Sequence, residues 1–239
     1  MEFHFENVVG GIYALAVWDT DWKSYNNCYI LLREDSVTLI DTGKSDHSKY
    51  LLDALSQLGM TSEDVTHIII THGHADHFGG VCVFNNAKKF IHVKDVRSLG
   101  LDLQKNIIPI RSDRGSIQGL DYMLVEHHTE GSIALFEPIQ KVLFSGDFLC
   151  FFGEGLPIDG LVSKAVELRI WFYSLVSKLS QGEREQLKSD QFIKGIQYLQ
   201  RLNIEFLCTG HGGVIQGDIN SFFTALEDIQ FTNGEAPIA

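Results

Sequence analysis

Two β-sheets packed face to face, with helices outside them, form the α/β arrangement that this 239-residue sequence predicts. Two observations carry that expectation. Short runs of β-branched and apolar residues fall into two groups along the chain, and each group has a segment of helical periodicity attached. An apolar sheet face must be buried against something, and two sheets with outer helices satisfy each other.

The first third reads as strands. Residues 27–32 and 37–40 flank the polar turn Arg33-Glu34-Asp35-Ser36, which predicts a hairpin. A helix follows. Ser45 is placed to cap it, Tyr50, Leu51, Ala54, Leu55 and Leu58 recur at helical spacing, and Gly59 stops it. The apolar run 65–70 predicts a buried strand that ends in Thr71-His72-Gly73-His74-Ala75-Asp76-His77-Phe78-Gly79-Gly80. Further strands are expected over 89–93, 122–126, 133–136 and 142–144, the last two separated by a turn around Pro138. Residues 164–202 are helical in pattern with a break near Gly182. A last short strand over 205–208 precedes Thr209-Gly210-His211-Gly212-Gly213, and a helix over 217–230 closes the pattern. Residues 233–239 have the composition of a disordered tail.

Composition narrows the function. The formal charge is −12 with no run of Lys or Arg, so a nucleic-acid partner would have to overcome the protein's own field. The four cysteines are widely spaced and form no CxxC pair, which argues against a zinc ribbon and a disulfide framework. No basic, apolar leader opens the sequence and no apolar run is long enough to span a bilayer, so a cytoplasmic location with no membrane partner is the expectation.

The chemistry is concentrated in His72-Gly73-His74-Ala75-Asp76-His77. Neutral imidazole and carboxylate are the usual ligands of zinc and its neighbours in the transition series. Four such groups within six residues call for a loop, because a regular helix or strand would point them apart, and Gly73 and Ala75 keep that loop tight. The hexad resembles the HxHxDH signature of the metallo-β-lactamase superfamily, and further matches follow. Asp41 in Leu39-Ile40-Asp41-Thr42-Gly43 matches an early aspartate. His128 in His128-Thr129-Glu130-Gly131-Ser132 is similar to the HTxGS segment, although Glu130 stands where a proline is common. Asp147 in Ser145-Gly146-Asp147 resembles the bridging aspartate, and His211 in Thr209-Gly210-His211-Gly212 the last histidine.

The resemblance implies a single domain over 1–239, a four-layer αββα sandwich of two mixed sheets, with a pocket-building insertion at about 148–200. It further implies two divalent metal ions, zinc first and iron or manganese as alternatives. His72, His74 and His128 would hold one ion, Asp76, His77 and His211 the other, and Asp147 would bridge them. Only the HTxGS match selects His128 over its neighbour His127, which alternation along a strand would turn to the opposite face. Asp76 would also orient a metal-activated hydroxide that attacks the substrate. Asp41 is either a partner of a ligand histidine or a turn aspartate.

The expected activity is hydrolysis of a small ester, thioester or lactone, with a mononuclear iron persulfide dioxygenase, a small phosphodiesterase and a non-catalytic metabolite sensor as alternatives. Asp147 stands where true β-lactamases of this fold carry cysteine or serine, which turns the expectation away from antibiotics. Phe148, Phe151, Phe152, Trp171, Phe172 and Tyr173 could wall an apolar pocket, cover a homodimer interface or simply form core. Tyr173 is the candidate to hydrogen-bond a substrate carbonyl. Cys150 and Cys208 read as small buried residues, and His4, His47, His67 and His92 as surface or strand histidines.

Overall fold

A computed structural model describes residues 3–229. The first sheet has seven strands in sequential order: β1 (Phe3–Val9), β2 (Ile12–Asp19), β3 (Ser24–Arg33), β4 (Ser36–Ile40), β5 (Val65–Ile69), β6 (Lys88–His92) and β7 (Ile107–Ile110). Antiparallel pairing runs from β1 to β4 and parallel pairing from β4 to β7. The second sheet comprises β8 (Arg114–Ile117), β9 (Leu120–Leu124), β10 (Ile133–Glu137), β11 (Val142–Gly146), β12 (Val162–Ser163), β13 (Phe206–Thr209) and β14 (Val214–Gln216), in the order β12-β14-β13-β11-β10-β9-β8. The helices are α1 (Ser48–Gln57), α2 (Ala75–Phe78), α3 (Leu101–Gln104), α4 (Glu167–Ser177), α5 (Gln181–Gln186), α6 (Ser189–Leu199) and α7 (Ile219–Glu227).

Side-chain alternation sorts the core into three apolar layers. On β2 and β3, Ala14, Ala16, Tyr29 and Leu31 face inward to meet Leu135, Phe144, Phe206 and Cys208 of the second sheet. Their neighbours Leu15, Val17, Cys28 and Ile30 face outward onto Leu51, Ala54 and Leu55 of α1. The outer face of the second sheet, with Leu143 and Leu207, is covered by Phe172, Ile196 and Phe223 from α4, α6 and α7. Helix, sheet, sheet, helix is thus the layer order the sequence predicted.

Local departures have local causes. Ser45 does not cap α1; it opens a short 3-10 turn, Ser45–His47, and α1 starts at Ser48 with its hydroxyl donating to the Ser45 carbonyl. The helical break expected near Gly182 falls at residues 178–180, and a second separates α5 from α6 at residues 187–188. Ser180 and Glu183 form a capping box that starts α5, and Gly182 is carried inside its first turn. Residues 127 and 128 occupy a turn beyond β9, not a strand. His47 is buried in the 3-10 turn, neither a surface nor a strand position, whereas His92 is a buried strand histidine at the end of β6. The closing helix ends at Glu227; Gln230 and the predicted tail 233–239 lie outside the described residues.

Strand direction gathers the predicted ligands. β4 and β5 run parallel, as do β11 and β13, and β9 lies two antiparallel steps from β11. The segments that follow these five strands therefore leave at one edge of the sandwich. Asp41, the His72–His77 segment, Asp147, His211 and His128 are all on them.

Candidate metal centre

Two clusters of donor atoms meet at that edge. His72, His74 and His128 form one; Asp76, His77, Asp147 and His211 form the other. In the first, His72 Nε2 lies 3.1 Å and His128 Nε2 2.9 Å from His74 Nδ1. In the second, His77 Nε2 is 3.3 Å from Asp76 Oδ2 and 3.3 Å from Asp147 Oδ1, and His211 Nε2 is 3.2 Å from Asp76 Oδ2. Asp147 Oδ2 reaches both clusters, at 3.3 Å from His211, 3.5 Å from His128 and 3.8 Å from His72. A carboxylate between two donor sets is the placement a bridging ligand needs.

The hexad is not all loop. His72 to His74 are irregular, but Asp76 and His77 sit in the single turn of α2, which drops both side chains into the second cluster. His74 and His128 are exposed, while His72, Asp76, His77 and His211 are buried. The centre is therefore reached from the side of the first cluster.

The other ring nitrogens explain which atoms converge. His77 Nδ1 donates to Asp41 Oδ2 at 2.8 Å. Thr71 Oγ1 donates to the same oxygen at 2.7 Å, which leaves it to accept from His72 Nδ1 at 3.1 Å. His211 Nδ1 donates to the Tyr25 carbonyl at 2.8 Å. With those protons committed outward, each Nε2 presents a lone pair inward. Asp41 is thus the hydrogen-bond partner of one cluster histidine directly and of another through Thr71, and its Oδ1 also takes the Thr71 amide. It holds this position with φ 58°, a backbone region that aspartate tolerates better than most residues.

These residues fit a cation. His77 Nε2 and Asp147 Oδ1 are buried with no hydrogen-bond partner among the described residues. Inward lone pairs at such separations repel unless a positive charge lies between them. The same demand shows in the titration of the groups. Burial would lower His77 and His211, yet Asp147 draws both up, His211 to about 9. Burial would raise Asp147, yet His77 and His211 hold it well below the usual carboxylate range. Burial lowers His72 and His128.

Close packing leaves the neighbours little choice. A Cβ on Gly210 would overlap Asp147 Oδ1, so only glycine lets the segment before His211 pass the Asp147 carboxylate. β3 stitches that segment to the first sheet: Asn27 N donates to the Gly210 carbonyl, and the Asn27 amide to those of Thr209 and Gly212.

The family model of the metallo-beta-lactamase superfamily matches residues 22–211. This chain belongs to that superfamily. Among curated relatives, Metallo-beta-lactamase domain-containing protein 1 of Xenopus laevis is 29% identical over 136 residues, 52% of this chain and 55% of that protein. Hydroxyacylglutathione hydrolase of Pseudomonas savastanoi is 30% identical over 153 residues, 57% of this chain and 53% of the relative. The chain thus spans about half the length of these two. Among solved structures, a flavo di-iron protein variant from Thermotoga maritima superposes with a TM-score of 0.75 at 18% identity, covering 95% of this chain and 60% of the other. The chemotaxis sensor ODP from T. denticola gives 0.70 at 16%, covering 96% of this chain and 95% of the other. At those identities the structures bear on the fold alone.

Three other residues of the matched segment bear on the expectations. Asp95, after β6, is buried and accepts from the Gly73 amide at 2.7 Å, Thr129 Oγ1 at 2.6 Å and the Gly131 amide at 3.0 Å. It ties the His72–His74 segment to the turn that carries His128. Sequence reasoning missed it because a lone aspartate in Lys94-Asp95-Val96 belongs to no motif; glycines at 73 and 131, both crowded by its side chain, were the available signal. His127 turns away from the centre, edge-on to Phe148 at 5.9 Å and tilted against Phe192 at 5.3 Å. Tyr173 does not join the site. It is exposed on α4 and absent from the walls of the neighbouring cavity, because Trp171 and Phe172 take the inward positions of that helix.

Proposed function

We propose that this chain is a hydrolase that uses two divalent metal ions to cleave a small ester, thioester or lactone. The observation that carries the proposal is the completeness of the donor set: two clusters with Asp147 between them, with His77, His72 and His211 oriented by Asp41, Thr71 and the Tyr25 carbonyl. His72, His74 and His128 would hold one ion, Asp76, His77 and His211 the second, and Asp147 both. Zinc is the first candidate, since imidazole and carboxylate suit it. Bound there, the ions would supply Lewis acidity, lowering the pKa of a water and polarising the oxygen of the attacked group.

The chain's own residues do the rest. Asp76 Oδ2, which takes a 3.4 Å hydrogen bond from the Asn26 amide, faces the space between His77 and His211 and would accept a proton from the attacking water, aiming its lone pair. Asp41 keeps His77 and His72 in the tautomers that present Nε2. One water is consumed: its oxygen bonds to the acyl carbon, the acyl bond to oxygen or sulfur breaks, and the proton passes to the leaving group. The thioester member of the set has support from the likeness to hydroxyacylglutathione hydrolase.

The test presents a panel of lactones, thioesters and aryl esters, and separately a persulfide, to zinc-loaded and iron-loaded protein, with an oxygen electrode in the cell. Product without oxygen uptake is expected. Oxygen uptake by the iron form on a persulfide, with no hydrolysis by either form, would overturn the proposal in favour of a dioxygenase.

A further inference from the structure

A cavity of about 480 Å³ adjoins the metal centre and shares Asp147 with it. Its other walls are almost wholly apolar: Phe148 and Phe152 after β11, Trp171, Leu175 and Val176 on α4, and Phe192 on α6 are the principal ones. No Lys or Arg lines it. Gly195 on α6 makes room for this lining, because a Cβ there would overlap the ring of Phe148. The apolar surface continues to the centre itself. Phe152 lies edge-on to His211 at 4.9 Å, and Trp22 sits 6.1 Å from Phe152 and 6.3 Å from His211.

Several of these side chains are not simply core. Phe152, Leu175 and Leu187 are 47%, 50% and 49% exposed although each borders the cavity. Apolar groups left half in water beside a reactive centre gain by covering an apolar ligand. An anionic group would find no Lys or Arg here and would lose its hydration.

We infer that this cavity is the specificity pocket of the enzyme and takes an uncharged alkyl or aryl arm of the substrate. The chemistry rests on the hydrolytic function proposed above; the existence of the pocket does not. Whether the arm belongs to the acyl group or to the leaving group is decided by which homologous series responds. Burying each added methylene is worth about fourfold in kcat/KM until the cavity is full.

The experiment compares metal-loaded wild type, Leu175→Asp and Ile139→Asp. One substrate series is the p-nitrophenyl esters from acetate to octanoate; the other is the acetates of alcohols from methanol to octanol. Wild type should show the methylene slope in one series. Leu175→Asp should lower the ratio of the longest to the shortest member by about tenfold, as a charge in the wall opposes desolvation. Ile139→Asp alters an exposed residue remote from the cavity lining and should keep that ratio. Turnover with no slope in either series would overturn the inference while leaving the hydrolase standing. Should no ester be turned over, displacement of the neutral dye Nile red by n-octanol decides. Displacement from wild type with weaker dye binding by Leu175→Asp supports the pocket; equal behaviour of the two proteins overturns it.

Discussion

At the scale of single residues, the adjacent histidines 127 and 128 separate ligation from mere proximity. His128 Nε2 lies 3.5 Å from Asp147 Oδ2, whereas His127 packs on phenylalanine rings and is lowered to about 4, chiefly by burial. His128→Ala should therefore lose metal from the outer cluster, by about 10- to 100-fold in affinity at least. His127→Ala should retain it. Equal losses, measured by elemental analysis after dialysis, would show that the turn presents both rings to the ion. The residues of the two clusters were legible because the hexad is compact and its partners fall in a fixed order. Asp41 was half legible: the sequence places it in a turn, and only the fold brings Thr71 and His77 to its two oxygens. Tyr173 was misread because helical spacing does not say which of three consecutive aromatics faces inward.

Among elements, Asp95 deserves weight as a positioning residue, since it clamps the segment after β5 to the turn after β9. All three partners donate, so the carboxylate serves as acceptor on both oxygens. Asp95→Asn puts an amide where one of those donors must be met, and one link breaks. Metal affinity of the His72, His74 and His128 cluster should fall about 10- to 100-fold while the buried cluster keeps its ion. Competition against a chromogenic chelator measures both steps. Equal weakening of both clusters, together with a lower unfolding midpoint of the metal-free protein, would reduce Asp95 to a general structural role. The larger elements were readable from apolar runs, turn residues and helical spacing: the β3–β4 hairpin, β5, β10, β11 and α1 all lie where those patterns put them. The short strands were not. β8 has three of its four residues exposed and β12 is two residues long, so neither has an apolar pattern to read.

For the whole molecule, the formal charge of −12 and the absence of a Lys or Arg run set the response to polyanions. Binding to tRNA or single-stranded DNA should be negligible at moderate salt. Tight binding that weakens steeply with added salt in a gel-shift assay would raise phosphodiester substrates above acyl ones. Among the described residues no helix is long and apolar enough to cross a membrane. The layer order followed from two strand groups with helices attached, because apolar faces leave few ways to pack. The sheet order did not, since the parallel pairing of β11 with β13 spans the whole segment that carries α4, α5 and α6.

The central claim is that the two donor clusters hold metal together, with Asp147 between them. Its most direct test is the metal content of protein purified without added metal, in wild type and in Asp147→Asn. Wild type should carry about two divalent ions per chain. The variant keeps the side-chain volume and loses the bridging charge, so it should fall to about one or fewer with the fold intact by circular dichroism. Wild type with no bound metal, or an Asp147→Asn protein with undiminished content, would contradict the account.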